Sequence, residues 1–358
     1  MKIAILGAGN AGSGVAADLS LRGHNVALIK TSHGMHDKNF NYLLENDGRI
    51  QLLENGETKK TQIQTVSRDL NDIKDAEVII VYIQSTYHEV LLKRLVPLIR
   101  KGQILLFNPG YLSTAYALKY SEGRELSIVE ATSSFIDCRI IEPGVVKVSF
   151  RNVRNPLGIY PKERTTEIKE KLKGLGYPFH YFSSVIEAGL HNPNLIVHTL
   201  GAIMSIPQIE NQKEKYDMYG QVFTPSVWKI LEKLDGEKMD VLESLGYERL
   251  SYVEACKLRN TLDDTVDAKE AFFEYAHRPQ RVRGPFEVDA RYISEDVPQG
   301  LVMLESFGKA LDIKTPITSS LIEIASAALG RNLRHDGRTI HSLSRENLRK
   351  IMKNVERE

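Results

Sequence analysis

The chain has 358 residues, with 47 Lys and Arg against 46 Asp and Glu, a formal net charge of +1, and 42% hydrophobic against 26% charged residues. That length exceeds the roughly 100–200 residues usual for one domain, so two domains are expected. The cancelled charge removes the basic field that drives binding to a phosphate backbone, so nucleic acid is not expected as a partner.

Lys2 precedes the apolar run from Ile3 to Leu6 as in a signal peptide, but glycines and Asn10 break it at once, so a cytoplasmic protein is expected. No apolar run approaches the roughly 18–20 residues that span a bilayer, which argues against a membrane partner. Short Val- and Ile-rich runs at 2–6, 25–30, 77–82, 103–108, 127–131 and 145–150 predict strands, and the amphipathic stretches between them predict crossover helices. The segment 49–66 predicts a hairpin across Glu54, Asn55 and Gly56, outside the parallel series. Beyond about Pro178 helical spacing takes over, at 186–206, 224–246, 252–260, 268–276, 300–310 and 316–330. Pro207, Pro279, Pro285 and Pro298 punctuate these segments as stops or turns. A charged helix over 344–358, read as a solvated element, closes the chain. The fold class is therefore α/β: a doubly wound Rossmann domain over 1–180, then a mostly α-helical substrate-binding and catalytic domain over 181–358. Cys138 and Cys256 are too few for a disulfide framework or a four-ligand zinc site, so a reducing compartment and no metal are expected.

Gly7-Ala8-Gly9-Asn10-Ala11-Gly12 fits G-x-G-x-x-G, follows the first strand directly and opens a helical pattern. Gly7 permits the tight turn, Gly9 lets the backbone approach a pyrophosphate, and Gly12 lets the helix pack on the strand. The N–H groups of Asn10, Ala11 and Gly12 then lie at a helix amino terminus, where the dipole favours an anion. At the end of the second strand a site for the unphosphorylated cofactor places an acidic residue on the ribose. Here stand Lys30, Thr31 and Ser32, and a cation with two hydroxyls suits a 2′-phosphate, so NADP(H) is expected to be preferred, with NAD(H) possible. The loops Gln84-Ser85-Thr86, Asn108-Pro109-Gly110 and Thr132-Ser133-Ser134 follow later strands at the same edge and are candidate contacts to ribose and nicotinamide.

In the second half, His191 and His198 stand seven apart on the expected helix 186–206, about 10 Å along its axis, too far to share one metal ion. Asn192, Asn194 and His198 are polar groups on an apolar helix and are expected to face a cleft. Arg291 and Asp296 stand five apart ahead of a new helix, an arrangement that supplies a two-point carboxylate anchor and an acid able to orient an imidazole.

Taken with Cys138-Arg139, Thr224-Pro225-Ser226, Arg291-Tyr292, Glu295-Asp296-Val297 and Gly300-Leu301, these motifs resemble the opine dehydrogenases, carboxyethyl-norvaline dehydrogenase in particular, over nearly the whole chain. The resemblance implies reductive condensation of the amino group of an L-amino acid with a 2-oxo acid such as pyruvate, using a reduced nicotinamide cofactor. It implies His198 as acid/base, Asp296 as its partner and Arg291 as carboxylate anchor, with Asn194 and Tyr292 as further substrate contacts. The departure is Lys30, where the carboxyethyl-norvaline enzyme has an acidic residue. Two other readings stay open: a reductase of the ketopantoate type, for which Lys229 and Lys233 near Trp228 are the candidate lysines, and a non-catalytic cofactor-binding sensor. The apolar helices of the second half suggest a homodimer.

Overall fold

The computed structural model describes residues 1–279 and 283–354, so the last four residues of the expected terminal helix lie outside the described ones. The chain divides into two compact units, Met1–Val185 joined by the chain end from Lys353, and Ile186–Met352.

The strands of the first unit are β1 (Lys2–Leu6), β2 (Asn25–Ile29), β3 (Arg49–Glu54), β4 (Glu57–Gln62), β5 (Thr65–Ser67), β6 (Val78–Val81), β7 (Ile104–Phe107), β8 (Ser127–Ala131), β9 (Ile136–Glu142), β10 (Val145–Arg151), β11 (Asn155–Tyr160) and β12 (Phe179–Tyr181). Its helices are α1 (Asn10–Leu21), α2 (Asp37–Glu45), α3 (His88–Leu95), α4 (Ser113–Lys119) and α5 (Thr165–Lys173). Eight strands form the main sheet in the order β12-β11-β8-β7-β6-β1-β2-β5. All its pairings are parallel except β11 against β8. Helices cover both faces of such a sheet, which is why β6, β7 and β8 are buried at every position and β6 and β7 carry continuous apolar runs instead of alternating ones, while β8 also buries Ser127 and Glu130. Strand order reverses at β1, with β2 on one side and β6 on the other, so the turn after β1 lies at the switch point where doubly wound sheets bind ligands.

The structure corrects two sequence expectations here. Residues 145–150 form a strand, but β10 lies in a second sheet, β4-β3-β10-β9, parallel to β3 and antiparallel to β9. An apolar run identifies a strand without identifying its partner. This second sheet covers α1, whose Gly14 leaves so little room that a Cβ there would lie 2.3 Å from Cys138 Sγ on β9. The expected hairpin 49–66 also ends early, at Gln62, and β5 departs to pair with the edge of β2.

The rest of the chain is helical: α6 (Val185–Leu190), α7 (Val197–Met204), α8 (Ile206–Gln212), α9 (Met218–Gln221), α10 (Pro225–Ser244), α11 (Tyr252–Asn260), α12 (Ala268–Ala276), α13 (Arg291–Ser294), α14 (Val302–Ala310), α15 (Pro316–Leu329) and α16 (Arg345–Lys353). The expected single helix 186–206 is broken into α6, a 3₁₀ turn Pro193–Leu195 and α7. Pro193 lacks an N–H and turns Asn192 out of helical geometry, to φ −59° and ψ 118°; the Asn192 side chain then accepts from the Asn194 N–H at 3.0 Å. A one-turn π-helix, Val297–Leu301, precedes α14. The charged α16 is not wholly solvated, since Leu348 and Ile351 are buried.

Candidate active site

Each expected role of the first turn has a steric counterpart. Gly7 has φ +113°, and a Cβ on it would lie 2.4 Å from the Tyr82 carbonyl oxygen. A Cβ on Gly12 would lie 1.8 Å from the Gly7 carbonyl oxygen. Gly9 is different: its Cβ would find nothing nearer than the His36 ring at 3.6 Å, so the protein itself leaves this approach open. Gly9 also opens α1, and no side chain caps the helix there, which leaves the N–H groups of Asn10, Ala11 and Gly12 for a ligand. The Asn10 side chain is committed elsewhere, accepting from the Ile140 N–H at 2.9 Å, so Asn10 can offer a ligand its main chain but not its amide oxygen.

At the end of β2, Lys30 is only 4% exposed; its Nζ donates to the Met35 carbonyl at 2.7 Å and lies 3.4 Å from an Asp37 oxygen. Thr31 and Ser32 begin the loop that leads to Asp37. Arg68, which follows β5, donates to the same Asp37 oxygen at 2.9 Å and to the Ser32 carbonyl. The Arg68 hydrogen bond, the Gly34 N–H and Lys30 together pull the Asp37 carboxyl down to about 2. A cavity of about 440 Å³ opens beside this cluster, with Gly34, His36 and Asp37 on one side and Ile140 and Glu142 on the other. Sequence reading missed Arg68 and Asp37, because Arg68 becomes relevant only once β5 pairs with β2.

At the later strand ends, Ser85 is buried in a 3₁₀ turn of which Gln84 is the cap. The loop Asn108-Pro109-Gly110 is held from beneath by Glu130 on β8, which is fully buried and accepts from the N–H groups of Leu112 and Thr114 and from the Thr114 hydroxyl. Gly110 is required there, since a Cβ would lie 1.9 Å from Glu130 Oε2. Asn108 donates to the Tyr82 hydroxyl at 2.9 Å, while its amide oxygen and the Thr132 hydroxyl are buried without a protein partner. These features fit a nicotinamide dinucleotide: an open glycine, an uncapped helix start, two cations at the β2 edge and unmatched polar atoms at the ends of β7 and β8.

In the second unit, His198 on α7 and Asp296 just after α13 meet across 98 residues, with Nδ1 2.9 Å from Oδ2 and both side chains buried. A carboxylate only accepts, so Nδ1 carries the proton. Tyr292 stacks on the imidazole, ring centroids 3.9 Å apart, and Tyr219 meets it edge-on. Arg291 is exposed at the start of α13, one residue before Tyr292 and five before Asp296. Asn194 sits on the 3₁₀ turn that packs against α7 and the π-helix. His191 is buried and held well below its usual range, first by burial and then by Lys238 and Arg259. Lys229 and Lys233 are exposed on α10, and Trp228 packs in an aromatic cluster with Phe272 and Phe273.

A dinucleotide-binding Rossmann unit and a buried His–Asp pair in a helical unit define a nicotinamide-dependent oxidoreductase. Residues 3–154 match the family described as ketopantoate reductase PanE/ApbA, and residues 181–329 match the alpha-helical domain of NAD/NADP octopine/nopaline dehydrogenases. The opine dehydrogenase of Arthrobacter sp. (strain 1C) is 25% identical over 352 residues, 95% of this chain and 94% of its own. Among solved structures, octopine dehydrogenase with NADH and L-arginine has a TM-score of 0.78 at 14% identity, covering 100% of this chain and 99% of its own. NADP+-bound yersinopine dehydrogenase has a TM-score of 0.72 at 15% identity, covering 99% and 96%. Over nearly its whole length the chain is thus similar to opine dehydrogenases, NAD(P)-dependent oxidoreductases that act on CH–NH bonds, and its helical unit matches their helical domain.

Proposed function

We propose that the protein condenses the amino group of an L-amino acid with a 2-oxo acid such as pyruvate and reduces the resulting imine, with NADP(H) preferred. The observation that carries this is the buried His198–Asp296 pair, whose Asp296 lies on the same short segment as Arg291. The glycine turn and the start of α1 hold the pyrophosphate, and Asn108 and Thr132 offer their unmatched oxygens near the ring-bearing end. When bound, the reduced nicotinamide supplies hydride to the former carbonyl carbon. Arg291 grips a substrate carboxylate through two parallel hydrogen bonds, which fixes the reacting carbon. Nε2 of His198, protonated, gives its proton to the oxygen that leaves as water when the imine forms, and takes one back from the next amine. Asp296 holds the tautomer and stabilises the imidazolium throughout.

The preference for NADP(H) rests on Lys30 and Arg68, two cations sharing one carboxylate, which leaves net positive charge for a 2′-phosphate. A homodimer in the cytoplasm completes the reading: free, buried Cys138 and Cys256 suit a reducing compartment, and sedimentation equilibrium tests the dimer. The reaction is tested by a matrix of L-amino acids against pyruvate, glyoxylate and 2-oxoglutarate, followed by loss of reduced-cofactor absorbance. Oxidation that needs both partners is expected; oxidation by an oxo acid alone would instead mark a carbonyl reductase.

A further inference from the structure

Gly9 faces an open space, and an imidazole stands on its far side. The nearest atoms to a Cβ built on Gly9 belong to the His36 ring, Cδ2 at 3.6 Å and Nε2 at 3.9 Å. A tight turn puts the ring there. The Asp37 N–H donates to the Gly34 carbonyl at 3.0 Å, and the Gly34 N–H donates to Asp37 Oδ2 at 2.8 Å. Between them His36 adopts φ 63° and ψ 17°, a left-handed conformation that costs a residue with a Cβ and that clusters at ligand clamps. Two cations act on the ring, Lys30 at the end of β2 and Arg139 on β9. Asp37 and Lys38 follow it in the chain, and Glu142 lines the same cavity. Of the carboxylates, Asp37 is already engaged by Lys30 and Arg68, and Asp137 accepts from Arg139. His36 keeps an exposed edge, yet desolvation, followed by the charges of Lys30 and Arg139, holds its ring below the usual range.

We propose that His36 is a further cofactor contact: across the opening at Gly9 its imidazole meets the pyrophosphate, takes up a proton as the anion arrives, and so ties cofactor affinity to pH. This rests on the reading of the glycine turn as a pyrophosphate site. The neutral ring gains one proton from solvent and donates one hydrogen bond; no covalent bond is made or broken. An anion held at Gly9 favours the charged ring and so opposes the two cations. By linkage, a ring whose pKa rises by about one unit on binding makes affinity about tenfold higher below the lower value than above the upper one. The cofactor therefore binds more tightly as pH falls through the His36 range. The main-chain N–H groups of α1 do not titrate there, so the turn alone has no such response.

The test is isothermal titration of the full-length protein with NADH and with NADPH over about pH 5.5 to 8.5, in buffers of different ionisation heat, which reads proton uptake directly. NADH is the cleaner probe, because NADPH carries a 2′-phosphate with its own ionisation near about pH 6. The parent is expected to take up about half a proton near pH 6 with either cofactor, and its NADH affinity should fall about three- to tenfold across the range. His36→Asn, which tolerates the left-handed backbone, is expected to abolish uptake with NADH and to keep the parent's high-pH affinity throughout. Should Asn disturb the turn, His36→Gln takes its place with the same expectation. Uptake with NADH that is unchanged in both variants overturns the proposal, as does uptake confined to NADPH, which would put the ring on the 2′-phosphate instead. Because no substrate is needed, His36-dependent uptake without amine-dependent turnover would sink the proposed reaction and leave this contact standing. Amine-dependent turnover with NADH binding that ignores pH would do the reverse.

Discussion

The turn after β1 and the segment from Arg291 to Leu301 reach a binding geometry by opposite routes. The turn is mostly local: Gly12 is required by the Gly7 carbonyl within the turn, although Gly7 is pressed by the Tyr82 carbonyl after β6, and the groups it leaves for a ligand are main-chain N–H groups. The Arg291 segment works through side chains, and its central contact joins residues 98 apart. It also departs from regular helix: α13 has four residues, and the π-helix follows at once. The π geometry spends one extra residue per turn, a feature frequent at functional sites. Main-chain sites of the first kind tolerate side-chain substitution. Side-chain sites of the second kind fail with one residue, and the largest expected effect follows from that: His198→Ala should lower kcat/KM by about 10²–10⁴ with cofactor KM unchanged. A loss below about tenfold in steady-state assays would remove His198 from the chemistry.

The same contrast explains what was legible in the sequence. Lys2–Leu6 and Ser127–Ala131 were readable to the residue, because buried strands of the sheet are short and rich in Val, Ile, Leu and Ala, even where β8 buries Glu130. The glycine turn was readable with its three roles, because a fixed spacing of glycines directly after a strand signals them, even though Tyr82 from beyond β6 presses on Gly7. Strand β5 was not: three residues in a polar stretch carry no periodicity, and only pairing with β2 makes them a strand. With β5 went Arg68, and with it half of the charge cluster around Asp37. The break at Pro193 was signalled by the proline itself, but the apolar spacing on either side outweighed it in reading 186–206 as one helix. Arg291 and Asp296 were visible as a spaced pair, whereas the Tyr292 stack is a tertiary fact without a sequence signal.

The Arg291 segment needs a rigid base, and α14 behind it has one. Glu305 is almost fully buried and accepts from Arg334 through two nitrogens, from Lys309 and from the Ser319 hydroxyl. Burial alone would raise its pKa, but the hydrogen bonds from Arg334, Lys309 and Ser319 outweigh it and hold the carboxyl at about 2. A carboxyl lower in the folded than in the unfolded state stabilises the fold above the unfolded value near 4.3; that contribution is lost as pH falls from about 5 towards 2. Glu305→Gln is therefore expected to cost about 3 kcal/mol at pH 7 and to flatten the acid limb of stability, checked by urea unfolding across pH. An unaltered acid limb would show that Glu305 contributes nothing there.

The local turn makes a smaller and more divided prediction. Gly12→Ala pushes a methyl against the Gly7 carbonyl and should cost about 1–3 kcal/mol together with cofactor binding. Gly9→Ala meets no protein atom nearer than 3.6 Å, so it should weaken cofactor binding while unfolding changes by at most about 1 kcal/mol, the usual loss at a helix cap. Thermal unfolding beside cofactor titration separates the two, and equal losses of stability would end the distinction between a packing glycine and an approach glycine.

The smallest expected effect lies where the local turn meets side chains, at the β2 edge. Lys30→Ala and Arg68→Ala each remove one charge-assisted contact to a 2′-phosphate and should lower kcat/KM with NADPH about tenfold while leaving NADH within about twofold. Asp37→Ala decides what the carboxylate between them does. If Asp37 competes with the phosphate for Lys30 and Arg68, its removal frees both cations and raises efficiency with NADPH. If it instead accepts from a ribose hydroxyl, its removal lowers efficiency with NADH and leaves NADPH little changed. The present geometry, with Asp37 within 3.4 Å of Lys30 and 2.9 Å of Arg68, favours competition, because a carboxylate already bound by two cations has little acceptor capacity left for a hydroxyl.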